Sequence, residues 1–182
     1  MASELGVQTI QHTNGTDALT VGSDGAVAID RIQIPSFMVT AANLDQSYTA
    51  TDSEVVQFGS SADLDTESAW DTTNHRYTPS IAGWYSFSGC VRIITNQAHA
   101  YIAIEIVKNG TDFASTDALM AQYQIQDGSL YNGSYPVPTG LIYLNGTTDY
   151  VNLCFRSGHN CTLSDNATIP SWFCGQLVKA GS

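Results

Sequence analysis

The chain has 182 residues, enough for one domain with a short additional segment, and its 17 acidic side chains outnumber 6 basic ones to give a net charge of -11. Because so few Lys and Arg side chains are present to displace counterions from a phosphate backbone, DNA and RNA are excluded as partners. No segment has the ~20 apolar residues of a membrane span, and the first residues lack the basic start and apolar run of a signal peptide, so we expect a soluble protein made in the cytoplasm, with no part inserted in a membrane.

Residues 7–30 alternate short apolar positions with turn residues. Asn14-Gly15 and Asp24-Gly25 are pairs typical of two-residue hairpin turns. A segment this short cannot bury enough apolar surface to offset its own ordering entropy, so we expect it to be stable only against two copies of itself or against a partner protein. The apolar positions available for that contact are Ile10, Leu19, Val21, Val27 and Ile29. We assign residues 1–31 to this segment and residues 32–182 to a globular head.

Alternation of apolar and polar residues dominates the head and predicts β-strands. Strands are predicted in residues 31–42 and 53–60, with Pro35 at an edge or an end because proline cannot donate to a strand ladder. In residues 102–106, three isoleucines fall on one strand face, opposite Ala103 and Glu105. No segment keeps apolar residues at helical spacing for three turns, so we expect almost no helix.

Two Asn-Gly pairs in the head predict hairpins. Asn109-Gly110 follows the isoleucine strand and should return the chain through residues 111–115. Asn145-Gly146 should join the strand that ends at Leu144 to the one that carries Val151. In that second strand the residues on one face alternate with Asn152, Cys154 and Arg156 on the other.

The strand at residues 84–94 has two faces of different character. One face is suited to a core, and its residues are Tyr85, Phe87, Gly89, Val91 and Ile93. The opposite face carries Trp84, Cys90 and Ile94, which are too apolar for water, beside Arg92 and two serines, which are too polar for the interior of a monomer. A mixed face of this kind is typical of a subunit contact.

Residues 172–178 alternate in the same way, with Phe173, Gly175 and Leu177 on one face and Trp172 and Cys174 on the other. Many short strands separated by Gly, Asn and Pro turns indicate an all-β sandwich. The fold class predicted is a two-sheet jelly roll of about ten antiparallel strands.

Two motifs carry a resemblance to a known family. The run 76–79, Arg-Tyr-Thr-Pro, followed by Gly83, Tyr85 and Phe87, resembles the signature strand pair of the globular head of the complement first component's q subunit. That family shares its jelly roll with the tumour necrosis factor superfamily. Phe173-x-Gly175-x-Leu177 resembles the family's last core strand, so the resemblance covers residues 32–180.

The resemblance implies a tight homotrimer in which the sheet containing the strands of Trp84 and Trp172 faces the neighbouring subunits. It also implies that Cys90 and Cys174 lie close together. Taken with the mixed strand face, the expected interface residues are Trp84, Cys90, Arg92, Ile94, Trp172 and Cys174. The surface loops lack the Lys and Arg content of complement heads, and no Gly-X-Y stalk precedes the domain, so a complement-like role is not expected.

The amino-terminal segment resembles a different kind of protein. Its runs TIQHTNGTDALTV and SDGAVAI are similar to the short β-structured shaft units of bacteriophage fibre proteins, which lead into or connect trimeric knobs. This resemblance implies a trimeric structural protein of a virion, assembled in the cytoplasm of a bacterial host. Its amino-terminal segment would attach it to other virion proteins, and its head would contact a glycan or protein of the host surface.

The competing hypothesis is a capsid decoration protein that cements the head shell of the phage, which the small size and the start at Met1 favour. For host contact the candidate residues are Tyr123, Tyr131, Asn132 and Tyr135, in a region rich in Tyr, Asn, Gly and Ser that is typical of adaptable recognition surfaces. The same residues are equally consistent with ordinary strand and interface positions.

Catalytic signals are weak throughout. The four histidines stand in no G-x-S-x-G or H-E-x-x-H frame, and no glycine-rich phosphate loop occurs, so we predict no catalytic residue, no cofactor and no enzyme activity. Asp63, Asp65 and Glu67 form a weak calcium candidate, although such a cluster is more often a solvated loop.

The cysteines leave more than one interpretation open. Cys154 and Cys161 bracket a turn that contains His159, so they can form a disulfide, bind a metal together with the histidine, or remain a reduced pair at a strand end. None of the four cysteines forms the C-x-x-C pair of a zinc site, and buried core thiols are the simplest interpretation.

Overall fold

A computed structural model of the chain describes residues 9–11, 17–21, 27–28, 34–41, 45–49, 53–59, 61–95, 102–112, 118–124, 131–164 and 170–181. The chain forms two compact units, Met1–Ile34 and Pro35–Ser182. Within the described ranges no helix is long and apolar enough to cross a membrane.

The first unit contains a three-stranded antiparallel sheet. Its strands are β1 (Thr9–Gln11), β2 (Asp17–Val21) and β3 (Val27–Ala28), in that order across the sheet. β2 pairs antiparallel with both β1 and β3, whereas the two predicted turns at residues 14–15 and 24–25 lie outside the described residues. In the register of these strands Ile10 is opposite Leu19 and Val21 is opposite Val27. Ile29 lies outside the described residues.

The second unit is built from antiparallel strands alone in its described part. Their bounds are β4 Ser36–Thr40, β5 Asp45–Tyr48, β6 Ser53–Val55, β7 Leu64–Asp65, β8 Trp70–Asp71, β9 Arg76–Tyr77, β10 Gly83–Thr95, β11 Ile102–Lys108, β12 Ala118–Gln124, β13 Tyr131–Leu144, β14 Val151–Ser157, β15 Cys161–Ser164 and β16 Trp172–Ala180. The described part of this unit thus has thirteen strands, ten of them with three residues or more, against about ten predicted from the sequence. Pro35 stands immediately before β4, as expected of a residue that cannot join the ladder.

Two sheets pack face to face in this unit. The sheet that we call the β10 sheet has the order β5-β15-β10-β16-β4-β7, with β13 on the other edge of β10. The second sheet, the β14 sheet, has the order β12-β11-β14-β9-β8, with β6 beside β14. β10 is central because one of its edges pairs with β13 from Gly83 to Thr95, while the other pairs first with β16 and then with β15.

The predicted core face of β10 is confirmed. Tyr85, Phe87, Val91 and Ile93 are all completely buried. The buried face of the β14 sheet meets them with Ile104, Ile106, Leu153 and Phe155, among others. Period two thus separates buried from exposed residues on β10 because successive side chains of a strand point to opposite faces.

An aromatic cluster fills one end of the core, with Phe37 at its centre. The Phe37 ring stacks on Tyr77 with ring centroids 4.2 Å apart and meets Phe173 edge-on at 5.1 Å. A Cβ atom at Gly175 would come within 2.6 Å of Phe87 Cε1 and 2.8 Å of Phe37 Cε1. Glycine in the Phe-x-Gly-x-Leu motif therefore lets these rings lie against β16.

The two hairpins predicted from the Asn-Gly pairs of the head have different outcomes. After Asn109-Gly110 the chain does return to pair with β11, but the returning strand is β12, in which Ala118 is opposite Val107, so the connection is longer than two residues. The hairpin predicted at Asn145-Gly146 is wrong. β13 and β14 are not paired at all, because β13 lies in the β10 sheet and β14 in the other. The turns at Asn109 and Gly146 do have positive φ, at 54° and 72°, but Gly110 does not share it. A two-residue turn of the expected type needs positive φ at both central residues.

Instead, the two asparagines hold neighbouring loops together through Asp149. The Asp149 carboxylate accepts hydrogen bonds from Asn109 Nδ2 at 2.7 Å and from the Asn145 backbone N–H at 3.0 Å, and forms an ion pair with Lys108 Nζ at 2.9 Å. Asn109 Oδ1 in turn accepts the N–H of Tyr150 at 3.0 Å. Asp149 is only 8% exposed, so its charge is compensated within the fold.

Candidate subunit interface

The outward face of the β10 sheet is the strongest candidate for a functional surface. Alternation along β10 points Trp84, Ser86, Ser88 and Cys90 away from the core. In the sheet register Trp84 is opposite Tyr143 of β13, Ser88 is opposite Cys174 of β16, and Cys90 is opposite Trp172. The structure thus brings Trp84, Cys90, Trp172 and Cys174 onto one face, as the sequence predicted.

Large apolar side chains stand exposed on this face. Trp84 is 45% exposed and Tyr143 39%, and their rings meet edge-on with centroids 5.7 Å apart. Further exposed apolar side chains belonging to strands of the same sheet are Met38, Leu64, Ile94, Leu141 and Val178. Exposed apolar side chains gathered on one sheet in this way are typical of an interaction site in soluble proteins.

Sequence reasoning missed part of this face. The sequence predicts a strand that ends at Leu144 but gives no decision about which side Leu141 and Tyr143 face. The alternation of the strand could have shown this. Ile142 and Leu144 are buried, and period two places Leu141 and Tyr143 on the opposite face of the strand. Tyr143 was not recognised because its importance comes from the neighbouring strand that carries Trp84.

Charge is almost missing from the part of this face that surrounds Trp84. Among the described outward residues of β4 and β16 and of β10 from Trp84 to Cys90, the one charged side chain is Lys179, opposite Trp84. The whole chain nevertheless has a net charge of -11. Two copies approaching through this part of the face would meet little like-charge repulsion from it.

Arg92 is buried within a single chain, although the sequence analysis expected a second subunit to cover its side chain. It is only 6% exposed within one chain, and its Nη1 donates to Ser164 Oγ at 3.3 Å. Its backbone N–H donates to Ser171 Oγ at 2.8 Å. Neighbouring strands of the same chain thus already cover this side chain, whereas Ile94, two residues further on, is 39% exposed.

Cys90 and Cys174 lie on neighbouring strands of the face, and neither forms a disulfide bond. Because Cys90 is opposite Trp172 rather than Cys174, the two cysteines are diagonal neighbours. Diagonal positions are about 7 to 8 Å apart, whereas bridged cysteines usually have Cα atoms no more than about 6.8 Å apart. Burial raises the pKa of the Cys174 thiol, so both geometry and ionisation favour the reduced form.

A groove of about 380 Å³ lies on the same face between β10, β16 and β4. We call it the serine groove, because Ser86 and Ser88 of β10 line one side of it, next to Cys174 of β16. Met38 and Leu64 line it on the side of β4 and β7 and are apolar.

The acidic loop uses its carboxylates separately. Asp63 accepts the Thr40 N–H at 2.7 Å, and Asp65 accepts backbone N–H groups including that of Trp70 at 2.8 Å. Glu67 accepts the Ser80 hydroxyl at 2.7 Å. In the part of the chain that the structure describes, no group of three or more His, Cys, Asp or Glu side chains is arranged to hold a metal ion. The calcium candidate thus consists of three side chains with different backbone and hydroxyl partners.

Cys154 and Cys161 are both buried and both free thiols. Burial raises the pKa of each to about 12. Because the thiolate is the form that binds metals and exchanges disulfides, these cysteines are unreactive core residues. Of the three interpretations left open by the sequence, the structure favours the reduced pair.

The candidate residues for host contact and for virion attachment have only backbone positions here. Tyr123 is on β12, while Tyr131, Asn132 and Tyr135 are on β13, where Asn132 is opposite Ile94. Ile10, Leu19, Val21 and Val27 are on β1 to β3. The side chains of both sets lie outside the described part of the chain.

Glu105 is buried on the face of β11 that alternation had left outside the core. It is 1% exposed, lies opposite Cys154, and its Oε2 accepts no hydrogen bond from the described residues. Burial, reinforced by the nearby Asp112 charge, raises the pKa of Glu105 to about 7. The sequence pattern of one strand could not indicate that this second face is also covered.

The raised pKa of Glu105 predicts a pH-dependent stability. Because the folded pKa lies above the unfolded value, the protein is most stable below about pH 4.5 with respect to this group and loses that stability as the pH rises to about 7 and beyond. Urea denaturation should therefore show Glu105→Gln gaining on the order of 2 kcal/mol over the native chain between pH 4.5 and pH 8. Parallel pH profiles for the two proteins would contradict the assignment.

Comparison with known proteins supports the fold. No protein-family model and no curated protein matches the sequence. The globular domain of zebrafish complement 1qA protein is similar to the chain with a TM-score of 0.54 and 15% identity, over 81% of this chain and 99% of that one. Murine APRIL at pH 8.5 gives a TM-score of 0.55 and 10% identity, over 80% and 99%.

The Eiger TNF structure from S. frugiperda gives a TM-score of 0.57 and 10% identity, over 82% of this chain and 96% of that one. Identities this low establish the fold alone. The chain therefore contains a two-sheet jelly roll of the type seen in the complement 1q globular domain and in tumour necrosis factor proteins, as its two motifs predicted.

Proposed function

We propose that this protein is a non-enzymatic structural component of a bacteriophage particle. Three copies form one head through the outward face of the β10 sheet, and residues 1–31 attach that head to other virion proteins. The head is exposed on the particle and contacts a glycan or protein of the host surface. Three identical faces on one rigid trimer can raise the apparent affinity of weak host contacts by about 10² to 10⁴.

The observation that carries the proposal is the apolar, sparsely charged part of the outward face of the β10 sheet around Trp84. A monomer would leave Trp84, Tyr143 and Leu141 in water at 39% to 52% exposure. Burying such side chains against sister copies is favourable because apolar surface leaves water. The three short antiparallel strands of the first unit further support the similarity to a fibre shaft.

Sedimentation velocity of the full chain at micromolar concentration tests the assembly. We expect a species of three times the chain mass. Leu141→Glu should shift it to the monomer, because each contact would then bury a carboxylate. Ile81→Glu is the matched control, since Ile81 is likewise an exposed apolar residue, at 39%. It precedes β10 and lies outside the serine groove. A native chain that sediments as a monomer would refute the trimer.

Antibody labelling of intact phage particles tests the virion role. Antibodies raised against the purified chain should label particles at discrete positions. Label confined to the tail would support a fibre, whereas label confined to the junctions between capsomers would instead support the capsid decoration hypothesis. Particles that carry no label would contradict both roles.

A further inference from the structure

We propose that each subunit contact consists of a ridge on one copy seated in the serine groove of the next copy. The inference rests on the proposed trimer and names the residues through which it forms. The ridge consists of Trp84, Leu141 and Tyr143 on β10 and β13, and the groove was defined above by Ser86, Ser88, Cys174, Met38 and Leu64.

The ridge is a preformed apolar projection. Leu141 is 52% exposed, and the edge-on contact between Trp84 and Tyr143 restricts both rings before any partner binds. Aromatic anchors with few rotatable bonds lose little conformational entropy on docking and often dominate the binding energy of an interface.

The groove has the size and chemistry to receive such a projection. Its volume of about 380 Å³ is close to the lower end of the ~300 to 1,000 Å³ typical of binding pockets. Uncharged short side chains, among them Ser86 and Cys174, line it on the side of β10 and β16, and Met38 and Leu64 line it on the side of β4 and β7. Cys174 is half-buried and free, so no disulfide obstructs the groove.

Charge indicates that the occupant is a second copy of this chain. Both the ridge and the groove are free of acidic side chains, although the chain as a whole carries a net charge of -11. A basic partner would be drawn to the acidic remainder of the surface rather than to this face. A second copy presents the ridge, which is uncharged and apolar like the groove wall.

The lateral offset of the two features determines how copies join. The ridge lies on the β13 side of β10, and the groove extends to the β16 and β4 side. One copy can therefore offer its ridge to one neighbour and its groove to another. Three copies joined head to tail in this way close a ring with every ridge and groove occupied.

Two reciprocal variants test the contact by sedimentation velocity of the full chain. Trp84→Ala removes the ridge, and Ser88→Trp fills the groove, so each should weaken association by at least about 30-fold and sediment as a monomer. An equimolar mixture should form a complex of two chains, because the intact ridge of Ser88→Trp fits the intact groove of Trp84→Ala. Ile81→Ala and Ser61→Trp are matched controls outside the face and should remain trimers.

Cross-linking provides a second measurement that does not depend on the folding of Ser88→Trp. In a Cys90→Ser background, Trp84→Cys should be linked by mild oxidation to Cys174 of the next copy, giving covalent species of two and three chains. Adding Cys174→Ser should abolish them. A trimer that persists in Ser88→Trp, or oxidation that yields no linked species, overturns the ridge and groove while leaving the trimer intact. A monomeric native chain overturns the proposed assembly as well.

Discussion

Replacing Phe37 with alanine should lower the free energy of unfolding by about 3 to 5 kcal/mol. Phe37 is 1% exposed, and its ring touches those of Trp70, Tyr77, Phe87 and Phe173. Truncation removes the buried apolar area and leaves a cavity between two sheets that cannot collapse, since rings from both sheets hold it open. Urea denaturation at a fixed protein concentration measures the change, because the stability of an oligomer depends on concentration.

Two further variants make this result specific. Phe37→Leu retains most of the buried apolar volume and should cost clearly less than Phe37→Ala. Ile81→Ala removes an exposed side chain and should change the stability by no more than about 0.5 kcal/mol. A loss below about 1 kcal/mol for Phe37→Ala would show that this ring is not at the centre of the core.

The residues around Phe37 show why the sequence predicted the core well. Alternation in β10 identified Tyr85 and Phe87 as buried because the two faces of a strand follow directly from the pleat of the backbone. The Phe173-x-Gly175 motif was informative for a similar reason, since Gly175 records the close approach of two rings. These signals are local, and each can be seen in a few consecutive residues.

Burial of the outward positions could not be predicted in this way. Glu105 of β11 and Arg92 of β10 both lie on the strand face that points away from the core between the two sheets. Both side chains are nevertheless nearly completely buried. Their cover comes from distant parts of the chain, as when Arg92 meets Ser164 and Ser171. The contact between Trp84 and Tyr143 could not be predicted for the same reason, because it depends on β13 being the strand that pairs with β10.

The misread Asn-Gly pairs have the same origin. Asn145 was assigned to a hairpin because the pair favours a tight turn, and the chain does turn there. The strands on either side nevertheless enter different sheets, a choice that is made by long-range packing rather than by the turn. What the asparagines contribute is polar contact, since Asn109 and the Asn145 backbone both bind Asp149.

Replacing Asp149 with alanine should therefore lower the free energy of unfolding by about 3 kcal/mol at pH 7. The change removes the carboxylate that the Lys108 ammonium, the Asn109 amide and the Asn145 N–H all bind in a largely buried site. Asp149→Asn retains the shape but not the charge and should cost less. Asp71→Ala is the matched control, because the half-buried Asp71 binds nearby N–H groups and Arg76 near the surface and should cost about 1 kcal/mol.

The pH dependence of the Asp149→Ala effect distinguishes loss of charge from loss of packing. Burial of Asp149 opposes ionisation, but hydrogen bonds from Asn109, Lys108 and Asn145 outweigh it and lower the pKa of the carboxyl below its ordinary value. A lowered folded pKa gives stability that is fully present above the unfolded pKa of about 4 and is lost as the pH falls through the folded value. The difference in unfolding free energy between the native chain and Asp149→Ala should thus be constant from pH 7 to pH 5 and shrink in more acidic buffer. If the difference stays constant or grows on acidification, packing rather than the carboxylate charge holds these loops together.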